Sequence, residues 1–296
     1  MSSALRHFTL TTAIFVGAFT FSGGAWAACE SAASTQPPSR ARANETAIAN
    51  ILNDANGALA RGDFSEACVK YRLVLSVDNG NTAALLGLGE GALAEGNAEA
   101  ARAHFEAVAT ATPDSAVAFQ GVGLSHLISG DFAAAEAPLR RSTELDPTLW
   151  RSWNGLGIIA DGRRDWAAAD VAWNAALALA PGQANLHNNK GLSLMQRGEP
   201  ANAIPAFEAA IRADPTLTTA ASNRRIALAM IGNYDAALSG VSERDLPAAL
   251  NNVAVVAGRR GDRAVADRLF AAAITASPRY YELAVRNRET LGSTAR

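Results

Sequence analysis

The side chains best suited to chemistry in this sequence are two cysteines, four histidines and a recurring asparagine. No histidine has a cysteine, serine or carboxylate at a spacing typical of catalysis; the four are His7, His104, His126 and His187. The sequence contains no phosphate-binding loop, HExxH, GxSxG or dinucleotide-binding pattern. Two cysteines, Cys29 and Cys68, are too few to argue for a metal site or a catalytic thiol. The sequence therefore predicts that the protein is not an enzyme and holds neither a metal nor another cofactor.

Asparagine is the polar residue whose spacing indicates binding. It recurs in the C-terminal half of the chain at Asn188, Asn189, Asn223, Asn251 and Asn252. An asparagine amide can accept from the N–H and donate to the C=O of an extended peptide. A row of such amides would hold a peptide backbone without selecting much sequence. Alternatively, each amide bonds the neighbouring helix and has only a structural role.

A repeat of 34 residues positions these asparagines. Glycines recur with this period, and Arg164 takes the place of glycine once; the glycines are Gly62, Gly96, Gly130, Gly198 and Gly232. Prolines keep the same frame at Pro113, Pro147, Pro181 and Pro215. Thirty-four residues accommodate two helices and two turns, and a proline ends the second helix because it disfavours helical geometry in the residue before it.

The pattern within each unit resembles the tetratricopeptide (TPR) repeat. The first helix has L-x-x-L-G spacing, as in Trp153…Leu156-Gly157, and the second begins after G-D/N-aromatic. The units start near residues 48, 82, 116, 150, 184, 218 and 247. The resemblance implies an all-α TPR superhelix of about seven helix-turn-helix repeats, with residues 281–291 as a C-terminal capping helix. The TPR domain would span 44–291, followed by a tail of residues 292–296.

The first helices of a TPR array line a concave groove, where protein partners bind. The repeat frame places an apolar strip in this groove beside the asparagines, and the strip includes Leu124, Leu192 and Met195. These residues and the asparagines are the predicted partner-binding site. The alternative for the apolar residues is partial burial against neighbouring helices.

One unit departs from the frame. The glycine of the seventh unit, Gly261, comes five residues early, so the second helix of the sixth unit should lose more than one turn. The same unit has Arg224-Arg225 where the other units have an apolar residue and a glycine. We expect the shortened helix to leave room for the arginine stems, with Glu243 or Asp245 as carboxylate partners. Alternatively, the arginines bind an acidic partner.

The sequence around the short unit resembles the C-terminal part of TadD-like proteins. The matching stretches are RDLP, ALNNVAVVAGRRGD and SPRYYELA. TadD-like proteins are exported, usually lipid-anchored TPR proteins of bacterial tight-adherence (Flp, type IVc) pilus assembly. The resemblance implies a scaffold that assists assembly of the pilus secretion machinery, with an outer-membrane secretin or another pilus component as its partner. A general periplasmic adaptor for another envelope or secretion complex is the alternative.

The N-terminus has the features of a secretory signal peptide. MSSALRH carries a basic residue, and FTLTTAIFVGAFTF is an uncharged run too short to span a bilayer as a stable helix. AWA fits cleavage after residue 27, which makes residues 1–27 the signal and 28–43 a flexible tether. We therefore expect an exported protein of the periplasm.

Cys29 is a lipidation candidate. Ala27-Ala28-Cys29 resembles a bacterial lipobox, although Trp26 stands where leucine is usual. Lipid on Cys29 would attach the chain to a membrane, and Glu30 as second mature residue favours the outer membrane. Without lipid, an exported compartment would permit a disulfide between Cys29 and Cys68.

The charge of the chain argues against a nucleic-acid partner. The formal net charge is −2, and the basic residues form no run longer than a pair. Nucleic-acid binding depends on clustered Lys and Arg that neutralise phosphates. We expect protein partners only.

Overall fold

The computed structural model describes residues 45–293, and within that range it contains fifteen α-helices and no strand. The prediction of an all-α fold built from about seven TPR helix pairs is confirmed. The predicted signal peptide (1–27), the tether (28–43), the lipidation candidate Cys29 and the last three residues of the tail lie outside the described residues.

The chain divides into two compact units, unit 1 (residues 1–180) and unit 2 (residues 181–296). The described part of unit 1 has four helix pairs, which are α1 (Glu45–Ala60) and α2 (Phe64–Val77), α3 (Thr82–Ala94) and α4 (Ala98–Ala111), α5 (Ala116–Ile128) and α6 (Phe132–Leu145), and α7 (Trp150–Arg163) and α8 (Trp166–Leu179). The two helices of each pair contact each other, and α2, α4 and α6 also contact the first helix of the next pair.

Unit 2 has three helix pairs and a final helix. They are α9 (Ala184–Gln196) and α10 (Pro200–Ala213), α11 (Thr218–Met230) and α12 (Tyr234–Leu238), α13 (Leu246–Arg260) and α14 (Arg263–Ala276), and α15 (Pro278–Ser293). The capping helix α15 begins three residues before the predicted start, because proline is well tolerated in the first turn of a helix. It contacts both α13 and α14.

A turn of constant design joins the two helices of most pairs. Its glycine has positive φ, for example 78° at Gly62 and 77° at Gly130. The next residue caps the second helix, as where Asp131 Oδ1 accepts from the N–H of Ala134 at 3.0 Å. Arg164 replaces the glycine once and still adopts the left-handed conformation, with φ 59°. The recurrence of glycine in the sequence therefore reflects a backbone requirement of this turn.

Glycines in the first helices let the second helices approach closely. A Cβ on Gly123 would lie 2.5 Å from Leu139, and a Cβ on Gly157 would lie 2.7 Å from the Trp173 ring. Leu139 and Trp173 are almost fully buried, so neither has open space to move into. Direct packing thereby explains the small residue that follows the apolar one in these first helices.

The second helix of the sixth pair is far shorter than the others. Helix α12 has five residues, whereas α10 has 14. The loss of more than one turn that the sequence predicted is confirmed, and residues 239–245 connect α12 to α13 without helical structure. In the preceding pair, a Cβ on Gly191 would lie 2.5 Å from Phe207 of the second helix. Arg225 takes the position of Gly191 and has room because α12 ends before the position of Phe207.

The carboxylate partners predicted for the two arginines were wrong. Arg224 Nε donates to Glu208 Oε1 of α10 at 2.9 Å, and Arg225 Nη2 donates to Ser222 Oγ at 3.0 Å. The Asp245 carboxylate instead accepts from Ser242 Oγ at 2.7 Å, in the turn before α13. Burial lowers the pKa of Arg225, and the charge of Asp245 opposes that shift without forming an ion pair. The side chains therefore serve packing and local bonding in the gap left by α12.

Candidate protein-binding surface

The predicted asparagines lie on three first helices of unit 2. Asn188 and Asn189 belong to α9, Asn223 to α11, and Asn251 and Asn252 to α13. We call the surface formed by α9, α11 and α13 the first-helix face of unit 2. Its asparagines differ in exposure, because Asn188, Asn189 and Asn251 are buried, Asn223 is half-buried and Asn252 is exposed.

Two of these asparagines bond each other across adjacent first helices. Asn223 Nδ2 of α11 donates to Asn188 Oδ1 of α9 at 2.9 Å. Among the described residues, Asn188 Nδ2 and Asn223 Oδ1 then have no protein partner. Asn223 itself keeps its Oδ1 acceptor and the second hydrogen of its Nδ2, which are the acceptor and the donor needed to bond one peptide group. Because Asn188 is only 3% exposed, Asn223 is the amide that a partner can reach, and Asn188 holds it in place.

A second series of amides continues towards the C-terminus. Asn287 Nδ2 of α15 donates to Asn251 Oδ1 at 3.0 Å, and Asn251 Nδ2 is 3.3 Å from Asn252 Oδ1. The side chains of Asn287 and Asn251 thus fix the orientation of the Asn252 amide and its Nδ2 donors. The same principle holds in both places, where a buried asparagine positions an accessible one.

The apolar members of the predicted site belong to the cores. Leu124 of unit 1 is 0% exposed and packs among the buried residues of that unit. Met195 is buried with Phe207 in unit 2, and Leu192 is partly buried against the same cluster. Neither Leu124 nor Met195 presents a surface to a partner in this structure, and Leu192 is reachable only in part.

Polar side chains on the first helices of unit 1 bond to other residues of unit 1. Gln120 Nε2 donates to Ser152 Oγ at 3.1 Å, and all three residues of this network, which includes Ser142 at 2.8 Å from Ser152, are buried. One nitrogen of Arg151 on α7 lies 3.0 and 2.9 Å from the two carboxylate oxygens of Glu90 on α3. The ion pair connects α3 to α7, although the first helix α5 lies between these two helices in the chain. These contacts already use the side chains of Gln120, Arg151 and Glu90 on the first helices of unit 1.

Three polar residues of the unit 2 face were missed from the sequence. Asn287 lies in the capping helix, outside the repeat frame, and its spacing of 36 residues from Asn251 was its only signal. Asn185 Oδ1 and Thr219 Oγ1 are buried atoms without a hydrogen-bond partner in the described part of the chain. Asn185 and Thr219 are one 34-residue period apart, at the second residue of α9 and of α11.

The described residues contain no group of three His, Cys, Asp or Glu side chains that could hold a metal ion. Within residues 45–293, no helix is both long and apolar enough to cross a membrane. The unit 2 face instead combines amides, hydroxyls and the two arginines of α11 with partly buried apolar side chains. Such a surface can bond peptide groups and cover apolar side chains.

Comparisons with known proteins identify the repeat. Two family descriptions, both of the tetratricopeptide repeat, match residues 154–218 and 58–121. No curated protein sequence matches the chain.

Two solved structures with TM-scores above 0.5 show the same fold. A thermophilic TPR protein of Thermus thermophilus is 16% identical with a TM-score of 0.53, and the match covers 61% of this chain and 98% of that one. A chain of the APC/C hetero-tetramer is also 16% identical with a TM-score of 0.53, covering 81% of this chain and 55% of that one. The MamA protein is 22% identical with a TM-score of 0.45, covering 58% and 94%.

Proposed function

We propose that this tetratricopeptide repeat protein, a scaffold for protein–protein interaction, assists assembly of an envelope complex. The complex that we propose is the Flp tight-adherence pilus machinery. Its partner there would be the outer-membrane secretin or another pilus assembly component. The proposal places the protein in the periplasm, following the signal peptide expected at residues 1–27.

The observation that carries this proposal is the truncated sixth pair. A five-residue α12 is followed directly by a complete pair, α13 and α14, and by the capping helix. A decayed repeat would be expected to end the array, whereas here the array continues with well-packed helices. The sequence of this region, from RDLP to SPRYYELA, is also the part that resembles TadD-like proteins.

The mode of binding follows from the amides of the unit 2 face. Asn223 and Asn252 can bond the backbone of an extended segment, while Asn188, Asn251 and Asn287 hold them in position. Bonds to a backbone give affinity with little dependence on sequence. We propose that the partner presents an extended segment to this face.

Attachment of the chain to a membrane depends on Cys29. Cys68 of α2 is buried and disulfide-bonded. The sequence has one other cysteine, Cys29. One sulfur cannot carry both a thioether-linked lipid and a disulfide, so a lipid on Cys29 and a disulfide between Cys29 and Cys68 exclude each other. We propose ordinary cleavage after residue 27. Lipidation of Cys29 and outer-membrane attachment are the competing proposal.

Cross-linking in the bacterial envelope tests the function. The full chain, tagged at its C-terminus, is purified from cross-linked cells, and its partners are identified by mass spectrometry. We expect pilus secretion components with the natural chain and their loss with the double variant Asn223→Ala and Asn252→Ala. Asn202→Ala is the control, because Asn202 is an exposed residue of a second helix. Recovery of a different envelope complex would favour the general adaptor, and recovery of no envelope protein would refute both roles.

A further inference from the structure

Unit 1 contains a cavity of about 660 Å³, which is not part of the first-helix face of unit 2. It lies between α4 and α6, and α5 forms its floor with Phe119 and Val122. We propose that this cavity binds the C-terminal residue of a protein partner, with an apolar side chain on the floor and the terminal carboxylate at Arg141. This site is distinct from the one in the proposed function.

The cavity exists because one side chain is smaller than in the other repeats. Ala109 of α4 lines it, and the corresponding positions of the other second helices hold larger residues. Those residues are partly buried, and they are Leu75, Thr143, Leu177, Ile211 and Ile274. The space that a leucine or isoleucine fills elsewhere is thus open here. Cavities of about 300–1,000 Å³ with an apolar lining and a few polar groups are typical of binding sites.

The polar groups of the cavity match one end of a peptide. Pro138 of α6 has no N–H to donate to the carbonyl of Ala134 one turn earlier, and both residues line the cavity. That carbonyl can accept the N–H of a bound residue. His126 also lines the cavity, and its Nδ1 is buried without a hydrogen bond to any residue that the structure describes, 3.9 Å from the nearest Asp131 oxygen. The first helices of the other pairs have alanine or leucine where His126 stands.

The charges at the rim set the orientation of the occupant. Arg141 of α6 contacts Asp114 and Glu144 only at 3.7 and 3.6 Å, and both of these carboxylates are well exposed. Such surface pairs are weak, so a carboxylate in the cavity can displace them. Glu106 lies on the opposite rim, on α4, and would repel a carboxylate placed there. A single residue that supplies an apolar side chain, an N–H and a carboxylate beside Arg141 is a C-terminal residue.

The test uses N-acetyl-L-phenylalanine, which has these three groups, and N-acetyl-L-phenylalaninamide, which lacks the carboxylate. Each is titrated into the ¹⁵N-labelled full chain, and amide chemical shifts are followed by NMR. We expect chemical-shift changes confined to α4, α5 and α6. N-acetyl-L-phenylalaninamide should bind about tenfold more weakly than N-acetyl-L-phenylalanine. Ala109→Leu should abolish binding of both, and Arg141→Gln should remove the difference between them.

Two control variants lie beside the cavity without lining it. Ala107→Leu adds the same side chain to an exposed position of α4, and Arg140→Gln removes a guanidinium that bonds Glu136. Both should bind the acid as the natural chain does. Equal affinity for acid and amide, shifts that persist in Ala109→Leu, or shifts outside the three helices would overturn the proposal. If Ala109→Leu fails to fold, Arg141→Gln alone decides the role of the carboxylate.

Discussion

Replacing Gly157 by alanine should destabilise the protein, although alanine is the better helix former. A Cβ at position 157 would lie 2.7 to 2.9 Å from three atoms of the Trp173 ring. The ring is 1% exposed, and its Nε1 donates to Asp161 Oδ2 at 3.0 Å, so it cannot shift without breaking that bond. Overpacking of this kind costs about 1–3 kcal/mol, and the higher helix propensity of alanine offsets about 1 kcal/mol.

Thermal unfolding followed by circular dichroism measures the effect. The net loss is then up to about 2 kcal/mol, which corresponds to a decrease in Tm of up to several degrees, at about 2–4 °C per kcal/mol. Gly162→Ala is the matched control in the same helix, because a Cβ there meets nothing within 4 Å and its φ is not positive. That change should leave the Tm unchanged or raise it. Equal Tm values for the two variants, or a Gly157→Ala penalty that persists beside Trp173→Leu, would refute the packing argument.

Three further outcomes are expected. Arg164→Gly should raise stability by about 1 kcal/mol, measured by urea unfolding, because Arg164 holds a left-handed conformation that costs L-residues about this much. The guanidinium of Arg163, and then that of Arg140, lowers the pKa of Glu136. The Glu136 carboxylate therefore stabilises the fold above its unfolded pKa, and this contribution is lost as pH falls through its folded pKa. In the variant Arg163→Ala, ¹³C NMR titration should show a raised pKa of Glu136. Thiol titration of the denatured, unreduced protein should find no free thiol if Cys68 is disulfide-bonded, and intact mass should show no lipid; a free Cys68 thiol with added lipid mass would support lipidation.

The repeat frame predicted the helices well because each of its signals has a local cause. The glycine of each turn marks a positive φ, and the Asp or Asn after it caps the next helix, so both can be recognised in sequence. The end of α12 was less predictable. The frame showed that five residues were missing, but not that the residues before α13 would form a non-helical connection.

The candidate site was predicted only in part, because the frame gives the direction of a side chain and not the distance to its neighbours. Leu124 and Met195 were placed correctly on first helices, yet both are buried. The partners of Arg224 and Arg225 depended on where α12 ends, which decides whether Asp245 is near enough to pair. The Ala109 cavity was not predicted from the sequence, because only the structure shows that the side chains around this small residue leave the space open.

One position of the 34-residue repeat holds glycine in unit 1 and asparagine in unit 2, and this difference explains why the reachable amides are in unit 2. In unit 1 this position holds Gly87, Gly121 and Gly155, and a Cβ on any of them would collide with a large side chain of the preceding second helix. Close approach of the backbone there leaves the first helices of unit 1 sealed by buried contacts. In unit 2 the same position holds Asn189 and Asn223, which have side chains that glycine lacks. Asn223 uses its side chain to bond Asn188 across α9 and α11, so the exchange of glycine for asparagine replaces close backbone packing by an amide that a partner can reach.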